Sequence, residues 1–336
     1  MLSVFQPLEL NGARSARTQT ASGQLAQTAA TAAVTRTDLV RQVKQAYWAA
    51  ALAQEIAALD AENVKYAQAL ADAATTQYEL GNHPQVQAFK AEVELARARQ
   101  QRYRSQAAAA QALAALNAAL GRAPETALVL SEKPAPLVAE FQDTQLQALG
   151  FSQRPDLLAA QAAIRTARGE VSVARAARRT DLGLQGRLDS EGLGGVAVSL
   201  NFPQLDWGGL KASQQRAEAL VKAAEQAHAV ALNAARLEIS NALIAFRAAQ
   251  AETREYQQQV LEQSRRLADL SLQGFQEGAS TFLDVLEARR TLRAVNVEYY
   301  SSVADQLTSL AQLEWAVGGQ FPAASAPQPQ QPTEVK

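Results

Sequence analysis

Residues 12–78 contain almost no helix-breaking residue, and this limits the possible fold more than any other feature of the sequence. The stretch has no proline, and after Gly12 its only glycine is Gly23. Alanine and other residues of high helix propensity fill it. One continuous helix here would be about 100 Å long. Because it carries few large apolar side chains, such a helix needs other helices alongside to be stable.

Start and stop signals predict two more helices after this stretch. A glycine and a proline within residues 78–84 predict a helix end and a new start, and the second helix runs to about residue 120. Prolines interrupt residues 121–150, so only short elements fit there. Proline and aspartate in the first turn then predict a helix from residue 154 to about residue 179.

Two further helices are predicted at residues 209–276 and about 280–317, separated by Gly278. In the first of these helices, apolar residues are spaced alternately four and three positions apart, which predicts a heptad-like seam. Most residues of the seam are alanine, whose small side chain would let helices approach closely. That seam consists of Leu220, Ala224, Ala227, Ala231 and Ala234. In the last helix the predicted apolar stripe is Phe282, Leu286, Leu292, Val295, Tyr299, Val303, Leu307 and Leu310.

Residues 182–209 contain the clearest β-pattern of the chain. Apolar and polar residues alternate in two arms, which is typical of strands with one apolar and one polar face. The apolar positions are Leu182, Leu184 and Leu188 in the first arm, and Val196, Val198, Leu200 and Phe202 in the second. Glycine-rich residues 190–195 predict the turn between them. We therefore predict a β-hairpin at 182–202, and a further short strand at residues 2–10.

Composition excludes several classes of protein. The 336 residues carry 32 basic and 33 acidic side chains, which is unlike the basic excess of nucleic-acid-binding proteins. Cysteine is absent, which excludes disulfides, thiol catalysis and cysteine metal sites in this chain. The sequence predicts no transmembrane helix and no signal peptide. Residues 321–336, rich in proline and glutamine, are predicted to be disordered.

Corresponding residues recur at a nearly constant offset, which indicates a duplicated half. Pro7 and Gly12 match Pro203 and Gly208 at an offset of 196, and five later pairs match at 197. These pairs are Tyr78 and Phe275, Gly81 and Gly278, Tyr103 and Tyr300, Leu116 and Leu313, and Gly121 and Gly318. We predict a first repeat at 1–150, with an irregular segment at 121–150, and a second at 151–320. The first repeat lacks the initial helix and strand that the second has.

Four motifs resemble those of the TolC-like outer-membrane efflux protein family. They are Gln6-Pro7-Leu8-Glu9-Leu10-Asn11-Gly12, Arg154-Pro155-Asp156-Leu157 through Ala167, Phe202-Pro203 through Asp206-Trp207-Gly208-Gly209, and Gly278-Ala279-Ser280-Thr281-Phe282-Leu283-Asp284-Val285-Leu286-Glu287-Ala288. The resemblance covers residues 1–320. The first motif looks most like the heavy-metal, cobalt–zinc–cadmium branch.

The resemblance implies a mainly α fold of long antiparallel helical hairpins with a few transmembrane strands. In the family, three subunits each contribute four strands to one outer-membrane barrel and helices to a periplasmic tunnel. The implied partners are two further copies of the chain, a periplasmic adaptor protein, an inner-membrane pump of RND or ABC type, and outer-membrane lipid. The backbone groups at the edges of a β-hairpin cannot remain unpaired in lipid, and a closed barrel of strands pairs them. With three predicted strands, the chain is expected to lack an upstream helix, strand and signal peptide.

Family position also suggests functional residues. Asp284 and Glu287 would form a cation-attracting ring at the periplasmic gate; the alternative is a solvated helix start. Gly81, Gly278 and Phe275 would lie at the hairpin tips that meet the adaptor, although both glycines also suit ordinary helix ends. Trp207 would lie at the membrane interface or simply pack under the sheet. Because Phe275 and Ser280 stand where the family often has tyrosine and arginine, closure would depend on packing.

No other chemistry is expected. Arg175, Arg178 and Arg179 could face lipid phosphate, the tunnel or solvent. His83 beside one tip is far from the only other histidine, His228, so we predict no metal site. No catalytic motif or cofactor motif is present in the sequence. We therefore expect a passive outer-membrane duct of a tripartite efflux or type I secretion system, with no enzymatic activity. The alternatives are a soluble helical-bundle scaffold and a non-functional fragment.

Overall fold

The protein is mainly helical, as predicted. The computed structural model describes residues 2–81, 84–188, 194–201, 207–277, 279–319 and 321. The helices are α1 (Ala13–Glu79), α2 (Gln85–Ala119), α3 (Asp143–Gln153), α4 (Pro155–Ala177), α5 (Gly209–Glu255), α6 (Leu261–Gln276) and α7 (Phe282–Ala316). The strands are β1 (Leu2–Pro7), β2 (Asp181–Leu188) and β3 (Gly194–Asn201).

The predicted helix bounds agree with the observed ones within about two residues. The long stretch at 12–78 is one 67-residue helix, α1. The helix predicted at 209–276 is continuous but changes at Tyr256–Val260 to a π-helical turn between α5 and α6. Within the proline-rich residues 121–150 the only regular element is the start of α3. The tail from residue 322, predicted to be disordered, lies outside the described residues.

The chain forms two compact units. One comprises Met1–Arg36 and Gln147–Glu238, and the other comprises Thr37–Leu146 and Ile239–Lys336. Each unit therefore combines segments from both predicted repeats. The division into repeats at 1–150 and 151–320 rests on corresponding positions in the sequence and stays a prediction.

The first unit contains the antiparallel sheet, in the order β1-β2-β3. The predicted hairpin pairs Leu182 with Leu200 and Leu184 with Val198, and β1 adds to the free edge of β2. Strand β3 begins at Gly194, so Gly194 and Gly195 belong to the strand rather than to the predicted turn. Strand β1 ends at Pro7, three residues earlier than predicted.

Helices α1 and α4 touch through their backbones in this unit. A Cβ atom built on Gly23 would lie 2.6 Å from Thr166 Oγ1, and one on Gly169 would lie 2.5 Å from Thr20 Oγ1. Each helix thus contributes a threonine and, three residues later, a glycine. Only glycine leaves room for so close a contact.

The core of the second unit is built largely from α7 and the last part of α5. Along α7, Phe282, Val295, Val303 and Leu307 are buried as predicted, and Leu286 and Leu292 are half-buried. Val285 and Ala288 are also buried. Phe141 connects the irregular segment to this core, with its ring 5.5 Å from that of Phe246 and 4.8 Å from that of Phe321.

One prediction about the long helix at 209–276 is wrong. The alanine seam is not the buried side of α5: Leu220 is exposed, whereas the buried residues include Ala217, Ala235, Ile239, Leu243 and Phe246. In addition, Gly209–Phe275 contains an 18-residue window of mean hydropathy 1.2, long and apolar enough to cross a membrane by length and composition alone. Core residues of soluble folds satisfy the same criterion.

Candidate functional site

One face of the sheet is apolar and exposed. The register places Val4 and Val196 opposite Gly186, and Val198 opposite Leu184, so these side chains share one face. Val196, Val198 and Leu200 are 77%, 64% and 56% exposed. No helix of the described chain covers this face. An apolar surface spread over three strands is unusual for a protein surrounded by water and indicates contact with a membrane or a partner.

Trp207 lies between the sheet and α5, directly before the helix begins. Its φ of 58° is unusual for a non-glycine residue, and its side chain is fully exposed. Within one copy the ring therefore does not pack under the sheet, and packing under a barrel of several copies stays an open alternative. The membrane-interface role stays a prediction.

The start of α7 is fixed by a capping box. Thr281 N–H and Oγ1–H both donate to Asp284 Oδ2 at 2.7 Å, and Asp284 N–H donates to Thr281 Oγ1 at 3.2 Å. The hydrogen bonds from Thr281 lower the pKa of Asp284, so its carboxylate stays ionised in mild acid. Glu287, three residues on, is also exposed. The two carboxylates predicted to form the gate are thus available to solvent, while one of them also caps the helix.

The predicted tip residues are only partly described. Gly81 has φ 76° and donates its N–H to the carbonyl of Tyr78, which is an ordinary helix end. Phe275 packs edge-on against Phe282, with 6.2 Å between the ring centroids, and the predicted closure by packing stays a prediction. Ser280 N–H donates to the Gly274 carbonyl at 3.0 Å. Gly278 and His83 lie outside the described residues.

Two ion pairs join α7 to α1 and α2 above the tip, one of them through a fully buried carboxylate, and sequence reasoning missed them. Asp60 is completely buried and accepts from Arg293 Nε at 2.7 Å and from Gln101 Nε2 at 3.3 Å. One turn away, Glu94 accepts from Arg290 and Arg97. The partners lie up to 233 positions apart, so no local pattern could have revealed them.

Arg154 performs a similar role in the first unit. Its side chain is 5% exposed and donates to both oxygens of Asp156, at 3.0 and 2.7 Å, and to Glu238 at 2.7 Å. Burial alone would raise the pKa of Asp156, but the hydrogen bonds and charge of Arg154 lower it overall. The sequence motif at 154–157 was interpreted as a helix start, and the structure shows that it also fastens α4 to α5.

The arginine cluster before β2 partly faces α5. Arg175 pairs with Glu218 at 3.3 Å, and Arg178 donates to Gln214 at 2.6 Å. These contacts support neither lipid phosphate nor the tunnel as the surroundings of the Arg175 and Arg178 side chains. Among the residues that the structure describes, no group of three or more histidines, cysteines or carboxylates is placed to hold a metal ion.

Long helices combined with a small sheet whose apolar face is exposed define a mainly helical class of protein that presents this face to a membrane or a partner. The family model for outer membrane efflux proteins matches residues 1–122 and 149–319. The chain belongs to this family of outer membrane proteins, which confirms the resemblance, the fold class and the localisation predicted from the motifs.

Curated relatives are export and resistance proteins. The chain is 29% identical to the cobalt-zinc-cadmium resistance protein CzcC of Cupriavidus metallidurans over 313 residues, which cover 87% of this chain and 71% of that protein. It is 30% identical to the pyoverdine export outer membrane protein OpmQ of Pseudomonas putida over 185 residues, 52% of this chain and 39% of that one. The chain thus spans well under half the length of OpmQ in that match.

Solved structures share the fold. The outer-membrane channel OprN superposes with a TM-score of 0.79 at 20% identity, covering 95% of this chain and 74% of that one. The outer membrane protein VceC from Vibrio cholerae gives 0.78 at 20% identity, with 95% and 79% covered. At this identity the likeness establishes the fold alone.

Proposed function

We propose that this chain is the outer-membrane channel component of a tripartite export system. The observation that carries the proposal is the exposed apolar face of the sheet, centred on Val196, Val198 and Leu200. Facing hydrocarbon, these side chains would be stabilised by about 25 cal/mol for each Å² removed from water. A soluble scaffold, the alternative predicted from the sequence, would cover the same face with a helix.

The proposed assembly is a homotrimer. A three-stranded sheet leaves unpaired backbone groups at both edges, and these cannot remain unpaired in lipid. Val230 and Leu237, one heptad apart on α5, are also exposed and suit contact with a second copy. Strands from several copies would close one barrel, and helices from those copies would pack around one tunnel.

The proposed partners are a periplasmic adaptor protein and an inner-membrane pump of RND or ABC type. In this proposal Gly81, Gly278 and Phe275 mark the hairpin tips that meet the adaptor, and Trp207 marks the membrane interface. Passage would be passive, with energy from the pump. Small molecules or metal ions are the proposed cargo, since OpmQ is named for pyoverdine export and CzcC for metal resistance.

Asp284 and Glu287 are proposed to attract cations at the periplasmic opening. Three copies of the two carboxylates would concentrate negative charge around a narrow axis. The lowered pKa of Asp284 supports a charge that persists in mild acid. The cap that Asp284 makes with Thr281 fixes this carboxylate in place.

Fractionation of cells that express the full chain tests the proposal. We expect a heat-modifiable trimer in the outer membrane. Val198→Asp should remove the protein from that fraction, because a charge on the lipid face is strongly unfavourable. Ala197→Asp, on the opposite face, should be tolerated. A soluble monomer, or equal loss with both variants, would contradict the proposal.

A further inference from the structure

A groove of about 870 Å³ lies in the second unit, above the tip, between α1, α2, α6 and α7. Its size falls within the range of small-molecule sites. The carboxylates of the proposed gate, Asp284 and Glu287, do not line it. The groove is therefore a separate feature with chemistry of its own.

The end of the groove nearest the tip is mainly apolar. Leu70 of α1, Phe275 of α6 and Phe282 of α7 line it, and Val285 and Leu286 continue the apolar surface. Phe282 is buried in a cluster against which Leu70, Phe275 and Leu286 pack. The polar side chains at this end, Gln77 and Gln87, are uncharged. This end of the groove can hold an apolar chain.

The other end is cationic. Arg97, Arg289, Arg290 and Arg293 line it together with a single carboxylate, that of Glu94. Glu94 pairs with Arg97 and Arg290, and the buried Asp60 behind the groove pairs with Arg293. Arg289 stacks over Tyr66, 4.8 Å from its ring centroid. Four guanidinium groups against two carboxylates leave an excess of positive charge.

Charge and apolar surface are thus separated along the length of the groove. On α7 the apolar end begins at Phe282 and the cationic end reaches Arg293, which is about 16 Å further along the helix. An amphipathic helix of a partner would instead carry its polar and apolar residues on opposite faces along its whole length. The separation in the groove matches a molecule with an anionic head and an apolar tail.

We propose that the groove binds a single-chain anionic amphiphile, with its head between the arginines and its tail against Phe275 and Phe282. Guanidinium groups in a planar fork are well suited to carboxylate and sulfate-like heads. The aromatic and aliphatic floor removes the tail from water.

Photolabelling of the purified full chain in phosphatidylcholine nanodiscs tests the site. The probe is dodecanoate with a diazirine at the end of its tail, and its methyl ester is the neutral control. We expect the acid to label peptides around Phe275 and Phe282, the ester to label them far less, and unlabelled dodecanoate to compete. The double variant Arg97→Gln, Arg289→Gln should reduce labelling on the order of tenfold. Arg266→Gln, at an exposed pair elsewhere on α6, should not change it.

Three results would overturn the proposal. They are equal labelling by acid and ester, labelling near Arg293 rather than near Phe282, and equal loss with the Arg266 variant. Circular dichroism of each variant establishes that it folds. Should the double variant fail to fold, the position of the label on the unmodified chain still decides for or against the site. An acidic amphipathic peptide that displaces the probe while dodecanoate does not would identify the groove as a protein-docking surface.

Discussion

At the scale of single residues, Gly23 and Gly169 determine how closely α1 and α4 approach. Each faces a threonine of the other helix, with backbone atoms as well as the hydroxyl within 3 Å of a built Cβ. The neighbouring backbone cannot move aside as a flexible side chain would. The two positions therefore fix the spacing of the helices below the sheet.

Gly23→Ala should destabilise the protein by about 1–3 kcal/mol, because the added methyl group forces the two helices apart. Gly195→Ala is a matched control, since nothing lies within 4 Å of a Cβ built there. Thermal unfolding followed by circular dichroism measures both. Equal melting temperatures for the two variants would show that the helices separate without cost.

Asp156 links stability to pH. Its folded-state pKa is lowered, so the stability that it contributes is present above its unfolded pKa of about 3.9 and is lost as the pH falls through the folded value. Asp156→Asn should therefore reduce the melting temperature at pH 7, and by less at about pH 3, which is below the unfolded pKa. The same difference at both pH values would contradict this linkage.

At the scale of elements, ion pairs hold α7 against α1 and α2, and one of their carboxylates, that of Asp60, is fully buried. Asp60 has no exposed surface, and its hydrogen bonds to Arg293 and Gln101 replace those it would make to water. Removing one partner of a buried pair leaves a charge without compensation, which costs more than the pair itself contributes.

Arg293→Met should destabilise the protein by about 2–4 kcal/mol, somewhat less than for a fully buried pair because the arginine is partly exposed. The double variant Asp60→Leu, Arg293→Met should recover most of this loss, since neither charge remains. Arg266→Met, at an exposed pair, should change stability by less than about 0.5 kcal/mol. Chemical unfolding measures all three, and a double variant no more stable than the single one would refute the account.

Much of the element pattern is predictable from sequence because helix and strand signals are local. The breaker-free stretch gives α1 within one residue, and alternation identifies β2 and β3. The buried side of α5 was mispredicted because alanine fits both a buried and an exposed face, so the steps from Leu220 do not distinguish them. Asp60–Arg293 and the groove depend on contacts between distant segments, for which no local pattern exists. The family resemblance points to Asp284, and the pattern Thr281-x-x-Asp284 is itself a local signal for the capping box that the structure shows.

At the scale of the whole molecule, the exposed surfaces indicate that one copy is incomplete alone. The apolar face of the sheet and the exposed α5 residues Val230 and Leu237 both lack a cover within the described chain. A trimer in the outer membrane would provide both, with lipid on the sheet and a neighbouring copy on the helix.

Leu237→Glu should weaken this assembly, because it places charge on the surface proposed to meet a second copy. We expect a smaller share of trimer in unheated electrophoresis and in sedimentation. Leu267→Glu on α6, an exposed leucine on another helix, should have a weaker effect. If both variants assemble like the unmodified chain, α5 is not the contact between copies.

The conductance of the purified full chain in a planar lipid bilayer tests the central claim most directly. We predict discrete current steps with a preference for cations, and a reduced preference in the variant Asp284→Lys, Glu287→Lys. An unchanged preference would contradict the gate residues alone. A folded, membrane-inserted protein that gives no steps would contradict the channel itself.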